Sequence, residues 1–200
     1  RLLRDELFKD FYELWPEKFN NKTNGVTPRR WLSHCNPKLG ELITEAIGSD
    51  WQKDLSKLSN LRSVAKDSAF NEKWASVKRS GTQRLANLVF DQTGIDFSLD
   101  SVFDVQVKRI HEYKRQLLNI LHVIHIYDRI TRGDVEGLKP RSVLIGGKAA
   151  PGYHLAKLII RLANNVANMV NSDPAVKPYL QCVFLPNYCV SSMEVICPGT

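Results

Sequence analysis

Acidic residues are the first shortage in this chain: 21 Asp and Glu face 28 Lys and Arg, a formal charge of +7 at neutral pH. That surplus points to an anionic partner. Cysteine is also sparse. Cys35, Cys182, Cys189 and Cys197 show no C-x-x-C spacing, which removes the common zinc and redox motifs and leaves four free thiols as the expectation. No apolar run approaches the roughly 18 residues a membrane span requires. The opening Arg1-Leu2-Leu3-Arg4-Asp5-Glu6 has no long apolar core of the signal-peptide kind, so the chain reads as cytosolic. Internal repeats and low-complexity stretches are missing too. With 43% hydrophobic and 24% charged residues, disordered and collagen-like classes are excluded, and 200 residues suffice for a substantial buried core.

What the chain does have is a change of apolar period near residue 100. Before it the spacing is helical. Phe8, Phe11, Tyr12 and Leu14 predict a short helix ended by Pro16, and 20–28 is a polar turn around Asn24-Gly25, the best linker candidate. Asn36-Pro37 offers an N-cap and a first-turn proline; Leu39, Leu42, Ile43, Ala46 and Ile47 share one helical face, and Gly48 closes it. Two or three further helices carry Leu55 to Val64, Phe70 to Val77, and Leu85 to Val89 before Gly94.

From residue 102, Phe103, Val105 and Val107 alternate with Asp104, Gln106 and Lys108, the period of a strand with two unlike faces. A helix is expected from about Glu112 to Thr131, apolar on nearly all sides and therefore sandwiched. Val143-Leu144-Ile145 before Gly146-Gly147 reads as a strand buried on both faces. Pro151-Gly152 opens a second helix, with Leu155, Leu158, Ile159, Leu162, Val166 and Met169 inside, and Cys182 to Leu185 makes a third strand. Strand, helix, strand, helix, strand is half of a doubly wound parallel sheet, preceded by several packing helices: an α/β fold.

Ligands of such sheets sit beyond the carboxyl ends of the strands, after Val107, Ile145 and Leu185. Lys108, Arg109, Tyr113, Lys114 and Arg115 follow the first strand, with Lys114 expected in the first turn of the next helix. Cations at a helix N-terminus cost roughly 0.3–1 kcal/mol each unless an anion joins them, so phosphate is the expected ligand, a solvated basic edge being the plainer alternative. A nucleic-acid site fits poorly, for no row of aromatics interleaves the cations. Gly146-Gly147-Lys148-Ala149-Ala150-Pro151-Gly152 lets backbone approach a ligand, or a helix approach the sheet, and matches neither common nucleotide motif. His111, His122, His125 and His154 lack metal-ligand company, so no metal site is expected. No nucleophile elbow occurs.

Two long blocks go further. Asn21-Lys22-Thr23-Asn24-Gly25-Val26-Thr27-Pro28-Arg29-Arg30-Trp31-Leu32 and the block from Phe103 to Asn119 resemble signatures of the glycogen (α-glucan) phosphorylases, and 146–157 and 184–190 follow in the family's order. The resemblance implies a Rossmann-like sheet of the GT-B glycosyltransferase type. It places 1–24 at the tail of an N-terminal domain and 25–200 in the first part of the C-terminal one. It implies pyridoxal 5'-phosphate as cofactor, α-1,4-glucan and inorganic phosphate as substrates, glucose 1-phosphate as product, and a homodimeric parent enzyme acting without nucleic acid or membrane. By motif, Lys108 would contact the cofactor phosphate, with Trp31 and Tyr188 lining that pocket. Arg109 and Lys114 would hold the substrate phosphate, and Asn24 and Tyr113 would meet the glucosyl hydroxyls. Position 189 departs from the pattern, carrying Cys where the family has Asn or Arg. The 200 residues also end before the region where the family keeps its Schiff-base lysine, so the resemblance implies a fragment inactive by itself. A non-catalytic anion- or glucan-binding half-domain is the competing expectation.

Overall fold

A computed structural model describes residues 2–22 and 25–200. Three parallel strands, β1 (Val102–Val107), β2 (Arg141–Gly146) and β3 (Leu180–Leu185), lie in that order, with Val102 opposite Arg141 and Arg141 opposite Leu180. Two crossover helices join them, α4 (Gln116–Thr131) and α5 (His154–Ser172). Val143, Ile145, Leu180 and Cys182 pack with Ile120, Val123, Ile159 and Val166 of these helices on one face. The other face, with Leu144, Val183 and Leu185, packs on α3 (Ser68–Thr93) and α6 (Val190–Gly199) through Leu85, Val89 and Ile196. Alternation along each strand thus feeds two hydrophobic layers, the sandwich a doubly wound sheet requires. The outer edge of β3 is blunted locally: Asn171 donates to the Cys182 carbonyl at 2.6 Å and accepts from its amide at 3.1 Å.

The helical first half holds α1 (Lys9–Leu14) and α2 (Pro37–Ile47), π-helical turns at Leu3–Leu7 and Arg30–His34, and 3-10 stretches at Pro16–Lys18, Ser49–Gln52 and Leu55–Ser63. Gly48 ends α2 at φ 81, as its position predicts; Asn36 occupies the N-cap without making a side-chain capping bond.

Several expectations change. The segments at Phe70–Val77 and Leu85–Val89 are one helix, α3, capped by Asp67 and ended by left-handed Gly94. What interrupts its apolar pattern is Gly81, a contact rather than a break: a Cβ there would lie 2.4 Å from the Pro198 carbonyl of α6. Helix α5 begins at His154, the Pro151-Gly152 pair forming a turn before it. Helix α4 begins at Gln116 rather than Glu112, because Glu112–Lys114 is a 3-10 turn and Arg115 adopts a left-handed conformation, φ 58. Nor is α4 sandwiched. Gln116, Ile120, Val123, Ile126 and Ile130 face the sheet, while Leu117, Leu118 and Leu121 are exposed.

Candidate functional site

The carboxyl ends of β1 and β2 are joined past the strands themselves. Lys108 donates its amide to the Gly146 carbonyl at 3.0 Å and Ile110 to the Lys148 carbonyl at 3.1 Å, so the ladder continues into both loops. This close approach requires Gly147: φ is 157, and a Cβ would fall 1.9 Å from the Lys108 carbonyl oxygen. Gly147 therefore serves loop-to-loop packing, a role distinct from the ligand approach and the helix-on-sheet packing that the sequence suggested for the glycines.

Beyond the ladder the 108–115 loop carries Lys108 and Arg109, both exposed, then Tyr113, 70% exposed, and half-buried Lys114. Lys114 lies in the 3-10 turn ahead of α4, not in its first turn. Left-handed Arg115 intervenes, so the argument from the helix N-terminus does not hold for Lys114 as expected. Its ammonium instead stands 5.5 Å from the Tyr113 ring centroid, a cation–π distance. Among the described residues none of Lys108, Arg109, Lys114 and Lys148 takes part in an ion pair. Glu112, the loop's acidic residue, is engaged by the Tyr153 hydroxyl at 2.5 Å. That bond holds the Tyr153 phenol above its usual pKa.

Gln106, Gln116, Asn119 and Tyr153, none of them a site residue expected from sequence, brace this loop. Fully buried Gln116 donates to the Arg109 carbonyl at 3.2 Å and accepts from the His111 amide at 3.4 Å. Gln106, on the α4 face of β1, donates to the Lys114 carbonyl at 2.9 Å and accepts from Asn119 at 3.1 Å. Tyr153, besides bonding the Glu112 carboxylate, accepts from the Glu112 amide at 3.3 Å and meets the His111 ring edge-on at 5.0 Å. Their sequence signal is slight: Gln106 falls on the polar side of the β1 alternation, and Gln116 is one polar residue at the start of an apolar helical period.

At the end of β3, Asn187 turns at φ 47 and Tyr188 packs beside Gly146, whose Cβ position would lie 3.8 Å from the tyrosine Cβ. Partial burial raises the Tyr188 pKa. Cys189 begins α6, its sulfur 3.1 Å from the Ser191 hydroxyl and 3.5 Å from that of Ser192; bonding to Ser191, then Ser192, lowers its pKa to about 7. Half-buried Trp31 sits in the Arg30–His34 turn, which the Arg30–Glu194 ion pair ties to α6. Lys108, Arg109, Tyr113, Lys114 and Tyr188 are thus gathered at one end of the sheet. Trp31 is linked to that end through α6, and Asn24 lies outside the described residues.

All four cysteines are free, and among the described residues no cluster of His, Cys, Asp and Glu could hold a metal ion. No described helix is long and apolar enough to cross a membrane. A cleft of about 1000 Å³ lies among Leu3, Phe8, Phe11, Trp15 and Phe19, in the N-terminal segment rather than at the strand ends. Charge and backbone geometry, not cavity size, make the strand ends the candidate site.

The family model for carbohydrate phosphorylases matches residues 1–200. The chain belongs to the carbohydrate phosphorylase family. Across its whole length it is 51% identical to glycogen phosphorylase 2 of Dictyostelium discoideum, and it covers 20% of that protein. Over 199 residues it is 52% identical to the human liver form of glycogen phosphorylase and 51% identical to a glycogen phosphorylase of Synechocystis, covering 24% and 23% of them. This phosphorylase segment therefore spans about a fifth to a quarter of the relatives it matches.

Proposed function

We propose that the protein containing these 200 residues transfers the terminal glucosyl unit of an α-1,4-glucan to inorganic phosphate, giving glucose 1-phosphate. The observation that carries this reading is the braced loop at the sheet's carboxyl edge, whose cations have no carboxylate partner among the described residues. Family membership supports it. Arg109 and Lys114 hold the substrate phosphate, by charge-assisted hydrogen bonds that strengthen as charge develops on its oxygens. Tyr113, largely exposed at the loop tip, meets the glucosyl hydroxyls together with Asn24.

The residues fit a second phosphate as well. Lys108 is free to bind one where the ladder leaves β1, and Tyr188 offers a ring surface beside Gly146. Pyridoxal 5'-phosphate, when bound, supplies a phosphate that donates and accepts a proton. Lys108 would hold that phosphate, with Tyr188 and Trp31 lining the pocket. Two phosphates brought together require several cations, which this loop provides. The rest of the reading follows the family: residues 1–24 close an N-terminal domain, 25–200 begin the C-terminal one, the parent enzyme is a homodimer, and the segment alone is inactive.

The test separates the cations in the full-length protein. Arg109→Gln is expected to keep bound cofactor and lose about 10²–10³ in phosphorolysis rate, or roughly 2.7–4 kcal/mol of transition-state stabilisation. Lys108→Gln is expected to release cofactor and regain activity when excess pyridoxal 5'-phosphate is added. Equal cofactor loss in both variants, or an unchanged kcat/KM for phosphate in Arg109→Gln, would refute the assignment.

A further inference from the structure

Gln116 is a fully buried polar side chain whose bracing of the loop has a consequence for the cations that loop carries. Burying an amide is costly unless its donor and acceptor are both used. Here both serve the same short stretch, the Arg109 carbonyl and the His111 amide. This pair of bonds fixes the peptide planes on either side of Ile110, itself buried and bonded to the Lys148 carbonyl. The direction in which Arg109 leaves the backbone is set by those planes. From the opposite side, Tyr153 of the β2–α5 connection grips Glu112 through its amide and its carboxylate. With the Gln106 bond to the Lys114 carbonyl, the loop is therefore held by a buried contact at Gln116 and a solvent-facing one at Tyr153.

We infer that Gln116 is a positioning residue for the substrate phosphate, with Tyr153 as its outer counterpart; this rests on the phosphorolysis reading above. Neither residue touches phosphate. Gln116 fixes the peptide from which Arg109 projects and Tyr153 fixes Glu112, two residues before Lys114, and displacement of a charge-assisted contact by about 1 Å can cost up to two orders of magnitude.

The test uses the full-length enzyme and inorganic phosphate, with phosphate KM, glucan KM, phosphate affinity by calorimetry and thermal midpoint measured together. Gln116→Met fills the same volume and removes both bonds. It is expected to raise phosphate KM and weaken phosphate binding about tenfold, leaving glucan KM within about twofold. Gln116→Glu supplies a chemical rescue. Ionised, it cannot donate to the Arg109 carbonyl; protonated, it has one donor and one acceptor and can remake both bonds. Relative to wild type at each pH, its phosphate KM is expected to be high at alkaline pH and to recover as the pH falls. A merely structural role would move both substrates' KM with the thermal midpoint and show no such recovery.

Tyr153→Phe removes a single oxygen from a half-buried side chain and guards against failure of the buried variants to fold. Its phosphate KM is expected to rise by about threefold, a loss near that of one net hydrogen bond. Folded variants with phosphate KM and affinity within twofold of an active wild type would overturn the inference. An inactive wild type that still binds phosphate, with binding weakened in the variants, would strike the phosphorolysis reading and leave the positioning role standing.

Discussion

Cys189 shows how a single side chain takes its chemistry from its neighbours. Hydrogen bonding from Ser191 and Ser192 stabilises the thiolate and brings its pKa to about 7, against roughly 8.5 for an ordinary cysteine. Because the folded-state pKa is lowered, the thiolate is populated above about pH 7 and lost as the pH falls through that value. Alkylation of Cys189, followed by peptide mapping, is expected to reach half its limiting rate near pH 7. Ser191→Ala should shift that midpoint upward, and an unshifted midpoint would refute the hydroxyl's role. Buried Cys182 provides the internal contrast, its pKa pushed up to about 12 by desolvation. Exposed candidates such as Lys108 and Arg109 were legible in the sequence because strand ends and charge are both local properties. Gln116 was not, because a glutamine inside a helical period looks the same whether it faces solvent or a loop seven residues upstream.

Among the elements, the strands were the most readable: alternation at Phe103, Val105 and Val107 and the unbroken run at Val143–Ile145 each reflect the layers they contact. Helix boundaries were less so. Nothing in Tyr113-Lys114-Arg115 forbids a helix, yet with Gln106 bonded to the Lys114 carbonyl this stretch is a 3-10 turn followed by a left-handed residue. Helix α6 likewise owes its place to tertiary contact with α3. At their crossing, Gly81 would place any Cβ 2.4 Å from the Pro198 carbonyl, and Gly199 would place one 2.6 Å from the Leu85 Cβ. Gly81→Ala therefore sets two effects against each other. Alanine gains about 1 kcal/mol in helix propensity, but overpacking against backbone costs typically 1–3 kcal/mol, and α6 cannot yield by rotating a side chain. The clash should win. Urea denaturation of the full-length protein is expected to show Gly81→Ala less stable, and a stabilised variant would show that the helices do not cross this closely.

For the molecule as a whole, the decisive feature is apolar surface left exposed among the described residues. The sheet-facing side of α4 is satisfied, but Leu117, Leu118 and Leu121 are 41%, 57% and 50% exposed on its other side. Leu121 lies four residues from Leu117 and three from Leu118, so it joins both into one patch on the helix surface. Leu155 and Leu158 of α5 are 40% and 44% exposed, and the N-terminal segment adds Leu3, Leu7, Phe11 and Leu14, none below 57%. Hydrophobic burial contributes about 25 cal/mol per Å², so contact between two such surfaces is favourable even without a shaped interface. The +7 charge opposes association only over a Debye length of about 10 Å at 0.1 M salt. Produced alone, the 200-residue chain is therefore expected to associate more strongly as concentration and salt rise, measured by sedimentation velocity. Leu118→Lys with Leu121→Lys should reduce that association without altering the sheet, because neither side chain belongs to the sheet-facing core. A monodisperse wild-type monomer at high salt, or a double variant that associates as strongly as its parent, would show that this face does not drive assembly.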